Sequence, residues 1–117
     1  MAFKFEKLRV WELAIELTLD VNRLIKSFPS EEKFVLAQQI QRAADSVALN
    51  IAEGSTGQCN AEYKRFLGYS IRSGIEVVSC LYLGRKRGII NESDFQKNYE
   101  SYDLLITKIQ ALRNSIN

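Results

Sequence analysis

Residues 36–54 contain the feature that most constrains the fold, because three stripes of different chemistry run along one predicted helix. Apolar side chains spaced by three and four residues lie on one helical face. This apolar stripe consists of Leu36, Ile40, Ala43, Val47 and Ile51. A row of small side chains on one side of it consists of Ala37, Ala44, Ala48 and Ala52. A polar ladder on the other side consists of Gln39, Arg42, Ser46, Asn50 and Glu53. We therefore expect a helix that packs closely against a neighbour and carries polar groups along the boundary of its packed face.

The composition is that of an ordinary helix-rich protein, and we predict a single domain over residues 1–117. The 117 residues are 46% apolar and 26% charged, with six Gly and one Pro. A chain of this length can bury a core without disulfides. No run approaches the roughly 20 apolar residues of a membrane span, and the first ten residues lack the apolar region of a secretory signal. We expect a cytoplasmic location, no membrane association, and free, reduced thiols at Cys59 and Cys80.

The chain has no histidine, which limits its chemistry. Ser-His-Asp and Cys-His nucleophiles and His-based zinc sites are excluded, together with the commonest general acid or base near neutral pH. A site made of carboxylates alone stays open, but no pattern in the sequence singles one out. The prediction is a protein that is not an enzyme and has no catalytic residues, metal or cofactor.

Periodicity and end signals predict four helices. Pro29 ends the first, and Ser30 is placed to cap the second. Gly54 is a natural C-terminal residue for the second helix, while Asn60 and Asn91 are placed to cap the third and fourth. The predicted helices cover about residues 5–27, 31–53, 61–87 and 92–115. Short connections between long helices predict an all-α fold, an antiparallel up-down-up-down four-helix bundle.

Several apolar residues project away from the predicted core. They are Val35, Leu49, Tyr69, Cys80 and Leu83. Scattered exposed apolar side chains are ordinary on a monomer. A subunit interface is the other interpretation, because these residues lie on the same two long helices and include an aromatic. The second interpretation favours a homo-oligomer.

The net charge of +2 is unevenly distributed along the chain. Residues 1–58 hold seven Lys or Arg against eight Asp or Glu, and residues 59–117 hold nine against six. The sharpest positive cluster lies near the end of the third helix, and a second band lies near its start. The candidates for binding nucleic acid are Arg85, Lys86, Arg87, Lys64 and Arg65. Cations at a helix C-terminus also complement its dipole, so a structural role for the first cluster stays open.

A resemblance to a known family covers almost the whole chain. The matching positions are Leu8, Trp11, Ala14, Phe28, Pro29, Glu32, Leu36, Gln39, Arg42 to Ala44, Ser46, Asn50 to Gly54, Phe66, Leu67, Ser73 and Glu76. The sequence resembles the four-helix-bundle proteins encoded by intervening sequences in bacterial 23S ribosomal RNA genes, most specifically at Asn50 to Gly54. The resemblance implies a bundle that assembles as a ring, with a pentamer favoured, and brings no established catalytic activity. The accessory proteins of diversity-generating retroelements are similar in fold, which implies RNA, a ribonucleoprotein or a reverse transcriptase as candidate partners.

The polar ladder has a structural and a functional interpretation. In the structural one, charged residues of the second and third helices form hydrogen-bonded pairs at a helix or subunit boundary and fix its register. The predicted network contains Gln39, Arg42, Ser46, Asn50, Glu53, Arg72 and Glu76. In the functional one, Arg42, Asn50 and Arg72 meet RNA phosphates. Carboxylates within the ladder would repel phosphate, so we favour the structural interpretation.

The sequence therefore leaves three classes of function. The favoured class is a non-enzymatic homo-oligomer that binds RNA or a ribonucleoprotein through a basic surface. The alternative is a protein-only scaffold or interaction module without a nucleic-acid role. An enzyme is the class that the sequence supports least.

Overall fold

A computed structural model describes residues 2–57 and 59–117, and the described residues contain helices and no strand. The four long helices are α1 (Arg9–Ile25), α2 (Leu36–Ser55), α3 (Asn60–Lys86) and α4 (Glu92–Ser115). Short 3₁₀ turns at Lys4–Lys7 and Ser30–Glu32 precede α1 and α2. The prediction of an all-α, four-helix fold is confirmed.

Contacts between the helices define their arrangement. The Ser70 hydroxyl of α3 donates to the Val47 carbonyl of α2, and Arg113 Nε of α4 donates to the Lys64 carbonyl of α3 at 3.0 Å. The bundle closes because α1 packs on both α2 and α4. The largest fully buried side chains are Tyr102, Leu36, Ile40, Ile51, Leu67, Leu81, Leu105, Ile109, Val21, Val47, Val77 and Cys80. The apolar stripe predicted on α2 is buried in this core.

The segment before α2 differs from the prediction of a helix that begins at residue 31. The 3₁₀ turn Ser30–Glu32 is followed by non-helical residues, and Val35 rather than Ser30 occupies the N-cap of α2. The predicted cap at Ser30 is wrong because the apolar stripe starts only at Leu36. Residues 31–35 therefore have no apolar stripe to hold a helix on the core. As a result, Phe34 and Val35 are 78% and 56% exposed.

Gly54 does not end α2 by a left-handed turn, as the sequence predicted, since the helix continues to Ser55. Its role is steric, because a Cβ at this position would lie 2.6 Å from Phe66 Cβ on α3. The left-handed glycine among the described residues is Gly88, with φ of +76°, directly after Arg87, the C-cap residue of α3.

The predicted caps of the last two helices had different outcomes. Asn91 caps α4 as predicted, with its Oδ1 accepting from the Asp94 N–H at 2.7 Å. Asn60 is the first residue of α3 rather than its cap, and Cys59 holds the N-cap position without a side-chain hydrogen bond. The boundary of α3 thus lies one residue earlier than the sequence indicated.

Candidate functional site

The uncharged part of the polar ladder forms a hydrogen-bonded link between α2 and α3. The hydroxyls of Ser46 and Ser73 lie 2.9 Å apart. Asn50 Nδ2 donates to the Ser46 carbonyl at 2.9 Å and to the Ser46 hydroxyl at 3.0 Å. These residues are half-buried, and their hydroxyls and the Asn50 Nδ2 group form hydrogen bonds within the chain. They accordingly fix the relation of the two helices and leave little polar capacity for a ligand.

The charged part of the ladder is not paired as the structural interpretation predicted. Gln39 Nε2 reaches Glu76 Oε2 at 3.5 Å. Within the described residues, however, no ion pair joins Arg42, Glu53, Arg72 and Glu76. All four side chains are exposed, and pairs in water gain too little free energy to hold long side chains in one geometry. The predicted ion pairs within a single chain are therefore wrong, and pairing across a subunit boundary stays a prediction.

Two of the three basic residues at the end of α3 are engaged within the chain. The Arg85 guanidinium lies 3.8 Å from the centre of the Phe95 ring and 3.3 Å from Glu92 Oε1. Arg87 lies 3.7 Å from Glu32 Oε1, on the turn before α2. Their charges are therefore partly neutralised, and these contacts tie the end of α3 to α4 and to the turn that precedes α2. Lys86 is exposed.

The second predicted basic band lies at the opposite end of α3. Arg65 pairs with Glu62 at 3.7 Å, and its guanidinium lies 5.8 Å from the centre of the Phe66 ring. Twenty residues separate Arg65 from Arg85, which corresponds to about 30 Å along a helix. One chain therefore does not bring the two predicted basic groups together.

Four of the five predicted interface residues lie at the surface, and the fifth does not. Val35 and Leu49 are 56% and 65% exposed, and Tyr69 and Leu83 are 41% and 40% exposed. Cys80 is 1% exposed, so its assignment to a subunit interface is wrong. The reason is its spacing of three from Val77 and four from Gly84, both buried, which puts all three residues on the packed face of α3. Burial raises the pKa of the Cys80 thiol to about 11.

A groove that the sequence did not predict lies between α1 and α2. It has a volume of about 930 Å³, and we call it the α1–α2 groove. Its apolar lining includes Ile25, Phe28, Phe34, Ala37 and Leu49. Its charged lining consists of Lys26, Lys33, Arg42 and Asp45. A helix beginning at residue 31 does not predict this groove. Phe34, one of its lining residues, lies in the non-helical segment 33–35 that precedes α2.

The exposed side of α1 carries apolar and acidic side chains together, a feature that was not predicted from the sequence. Ile15 and Leu19 are 39% and 52% exposed, and the exposed carboxylates Glu12 and Glu16 lie on the same side. Spacings of three, four and seven residues put these four side chains on one helical face, which we call the α1 ridge. The signal was present in the sequence, since two apolar residues four apart interrupt an otherwise polar arc.

Among the described residues, the titratable groups with a clearly shifted pKa lie in the core. They are Tyr63, Cys80 and Tyr102, and burial raises the pKa of each. Among residues 2–57 and 59–117, no three His, Cys, Asp or Glu side chains are grouped to hold a metal ion. No described helix is long and apolar enough to cross a membrane.

Comparisons with known proteins agree with the fold. No curated protein matches the sequence. The crystal structure of a protein of unknown function from the S23 ribosomal protein family of Bacteroides thetaiotaomicron superposes with a TM-score of 0.83. The two sequences are 21% identical, and the match covers 89% of this chain and 97% of that one. The family model described as 23S rRNA-intervening sequence protein matches residues 6–111. The chain therefore belongs to the 23S rRNA-intervening sequence protein family.

Proposed function

We propose that this protein is a non-enzymatic helical bundle that assembles with copies of itself. The observation that carries the proposal is the exposure of large apolar side chains on and beside α2. Phe34, Val35 and Leu49 are 78%, 56% and 65% exposed. Removing such side chains from water stabilises association by roughly 25 cal/mol per Å² before the costs of association are subtracted. A second copy of the same chain is a partner present at equal concentration wherever this protein occurs.

The proposal is tested by measuring the mass of the purified chain in solution with light scattering. We expect a particle several times heavier than the 13.4 kDa chain. Leu49→Asp places a charge on the exposed apolar surface of α2 and should lower that mass. Leu104→Asp is the matched control, because Leu104 is 52% exposed on α4, away from the predicted interface. A monomeric wild-type protein at micromolar concentration would refute self-assembly.

The number of copies that we propose comes from the resemblance to ring-forming bundles, and it is five. A ring needs two different contact surfaces on each subunit, since the same operation must carry each copy onto the next. The exposed residues of α2 and α3 predicted as an interface supply one candidate surface, and native mass spectrometry would count the subunits.

RNA binding is a second candidate function, and an exposed basic residue favours it. Lys86 lies at the end of α3 with its side chain in solvent, between two arginines that are already engaged. A ring would repeat this position around one rim and so raise the local positive potential. The reverse transcriptase or ribonucleoprotein partner implied by the resemblance would use the same surface.

A gel-shift assay with a structured RNA at two salt concentrations tests this candidate. Real phosphate contacts weaken steeply as salt rises, because each releases bound counterions. Lys86→Glu should reduce binding more than Lys97→Glu, a matched reversal of an exposed residue on α4. A stable oligomer that ignores RNA even at low salt would instead support the protein-only scaffold.

A further inference from the structure

The α1–α2 groove has a positively charged rim that is not neutralised within the chain. Lys26, Lys33 and Arg42 outnumber the single carboxylate, Asp45. All three cations are exposed, and none forms an ion pair within residues 2–57 and 59–117. Lys33 lies three residues before the start of α2, so the positive end of the helix dipole adds to the potential at that end of the groove. The groove therefore suits an occupant that combines apolar side chains with negative charge.

The α1 ridge has the complementary properties. Ile15 and Leu19 supply exposed apolar surface, and Glu12 and Glu16 lie beside them on the same face of the helix. Neither carboxylate forms an ion pair in the described part of the chain. The α1 ridge is thus apolar and negatively charged, whereas the α1–α2 groove is apolar and positively charged.

We propose that the α1 ridge of one copy docks in the α1–α2 groove of the next copy. Ile15 and Leu19 would cover apolar lining such as Phe34 and Leu49, while the ridge carboxylates face the cations of the rim. Because the ridge and the groove are different patches, the contact is head to tail, and each added copy presents one further groove and one further ridge. The inference rests on the proposed self-assembly and identifies the two surfaces that perform it. Charge complementarity of this kind selects the partner and fixes its register.

A second copy explains the groove better than a nucleic-acid strand does. Phosphates would match Lys26, Lys33 and Arg42, but the apolar lining of the groove would stay largely uncovered. An RNA occupant also gives no role to the acidic ridge, since phosphates and carboxylates repel each other. The two occupants are separated by changing the ridge, which only a second copy would contact.

Charge reversal on each surface, alone and together, tests the proposal. The groove variant is Lys26→Glu/Lys33→Glu, and the ridge variant is Glu12→Lys/Glu16→Lys. Each should weaken self-association by at least about tenfold, measured by sedimentation velocity, because like charges then face each other at the contact. The fourfold variant that combines both changes restores opposite charges and should recover assembly. All four residues are exposed, and circular dichroism will verify that every variant keeps its helices.

The control for the groove variant is Lys97→Glu/Lys108→Glu, which makes the same change in net charge as that variant at exposed positions of α4. It should assemble like the wild type. Unchanged assembly of the groove and ridge variants, failure of the fourfold variant to recover, or equal weakening of the control would each overturn the docking proposal while self-assembly stands. A monomeric wild-type protein would overturn both proposals, so the two failures are distinguishable.

Discussion

The substitution Gly54→Ala tests how closely α2 and α3 approach. An added Cβ would lie 2.6 Å from Phe66 Cβ and 3.4 Å from Tyr63 Cδ1. The first distance is about 1 Å shorter than the optimum separation of two carbon atoms. Phe66 Cβ is bonded directly to the backbone, so a change of rotamer cannot relieve the clash and the two helices must separate. Overpacking of this kind costs about 1–3 kcal/mol, whereas Ala in place of Gly gains about 1 kcal/mol in a helix. We therefore expect a net loss of up to about 2 kcal/mol in the free energy of unfolding.

Gly68→Ala is the matched control for this prediction. Gly68 lies inside α3, and an added Cβ would meet Arg113 Nε at 3.7 Å, an ordinary contact. The gain in helix propensity is then not opposed, and stability should rise by up to about 1 kcal/mol. Urea unfolding followed by circular dichroism measures both variants, at one chain concentration because self-association adds to apparent stability. The steric argument is refuted if Gly54→Ala raises stability as much as Gly68→Ala does.

Other predictions concern the core and the end of α3. The Tyr102 hydroxyl is buried without a hydrogen-bond partner among the described residues, so Tyr102→Phe should keep or raise stability by about 1 kcal/mol; a clear loss in urea unfolding would contradict this. Arg85→Ala should lower the melting temperature more than Lys86→Ala, since only Arg85 contacts Phe95 and Glu92; equal effects would count against the contacts. Iodoacetamide should modify exposed Cys59 in the native protein and buried Cys80 only on unfolding, as mass spectrometry will detect. Burial raises the pKa of Cys80 from 9.0 to about 11, so the unfolded chain loses this proton first. The free energy of unfolding should therefore fall as the pH rises from 9.0 to about 11, and it should fall less in Cys80→Ala.

The sequence predicted the helices well where an apolar stripe is long and regular. The stripe on α2 is buried as expected, and Asn91 caps α4, because both signals depend on neighbours within one or two turns. The start of α2 was missed because Ser30 offers a good cap whether or not the residues after it have a core to pack on. Gly54 was misassigned for a related reason. Local sequence cannot distinguish a glycine that ends a helix from one that admits Phe66 of another helix.

The candidate site was less predictable, since whether a charged side chain is paired depends on residues that are distant in the sequence. Arg85-Lys86-Arg87 is a basic cluster in the sequence, yet Arg85 lies against Phe95 and Arg87 lies beside Glu32. Neither partner is identifiable without knowing how the helices pack. The α1–α2 groove is a further case, because its cations come from α1, from the turn before α2 and from α2 itself.

The most specific part of the family resemblance, Asn50 to Gly54, has a structural explanation at both ends. Asn50 binds Ser46, whose hydroxyl meets Ser73 of α3, and Gly54 lets Phe66 approach the α2 backbone. Both contacts set the geometry of one helix pair. A segment that fixes how α2 and α3 cross will be shared by proteins with different partners, provided that they keep the bundle. The residues that determine the partner of this protein should therefore lie outside that segment, on the exposed sides of α1, α2 and α3, where unpaired charges and uncovered apolar side chains occur together.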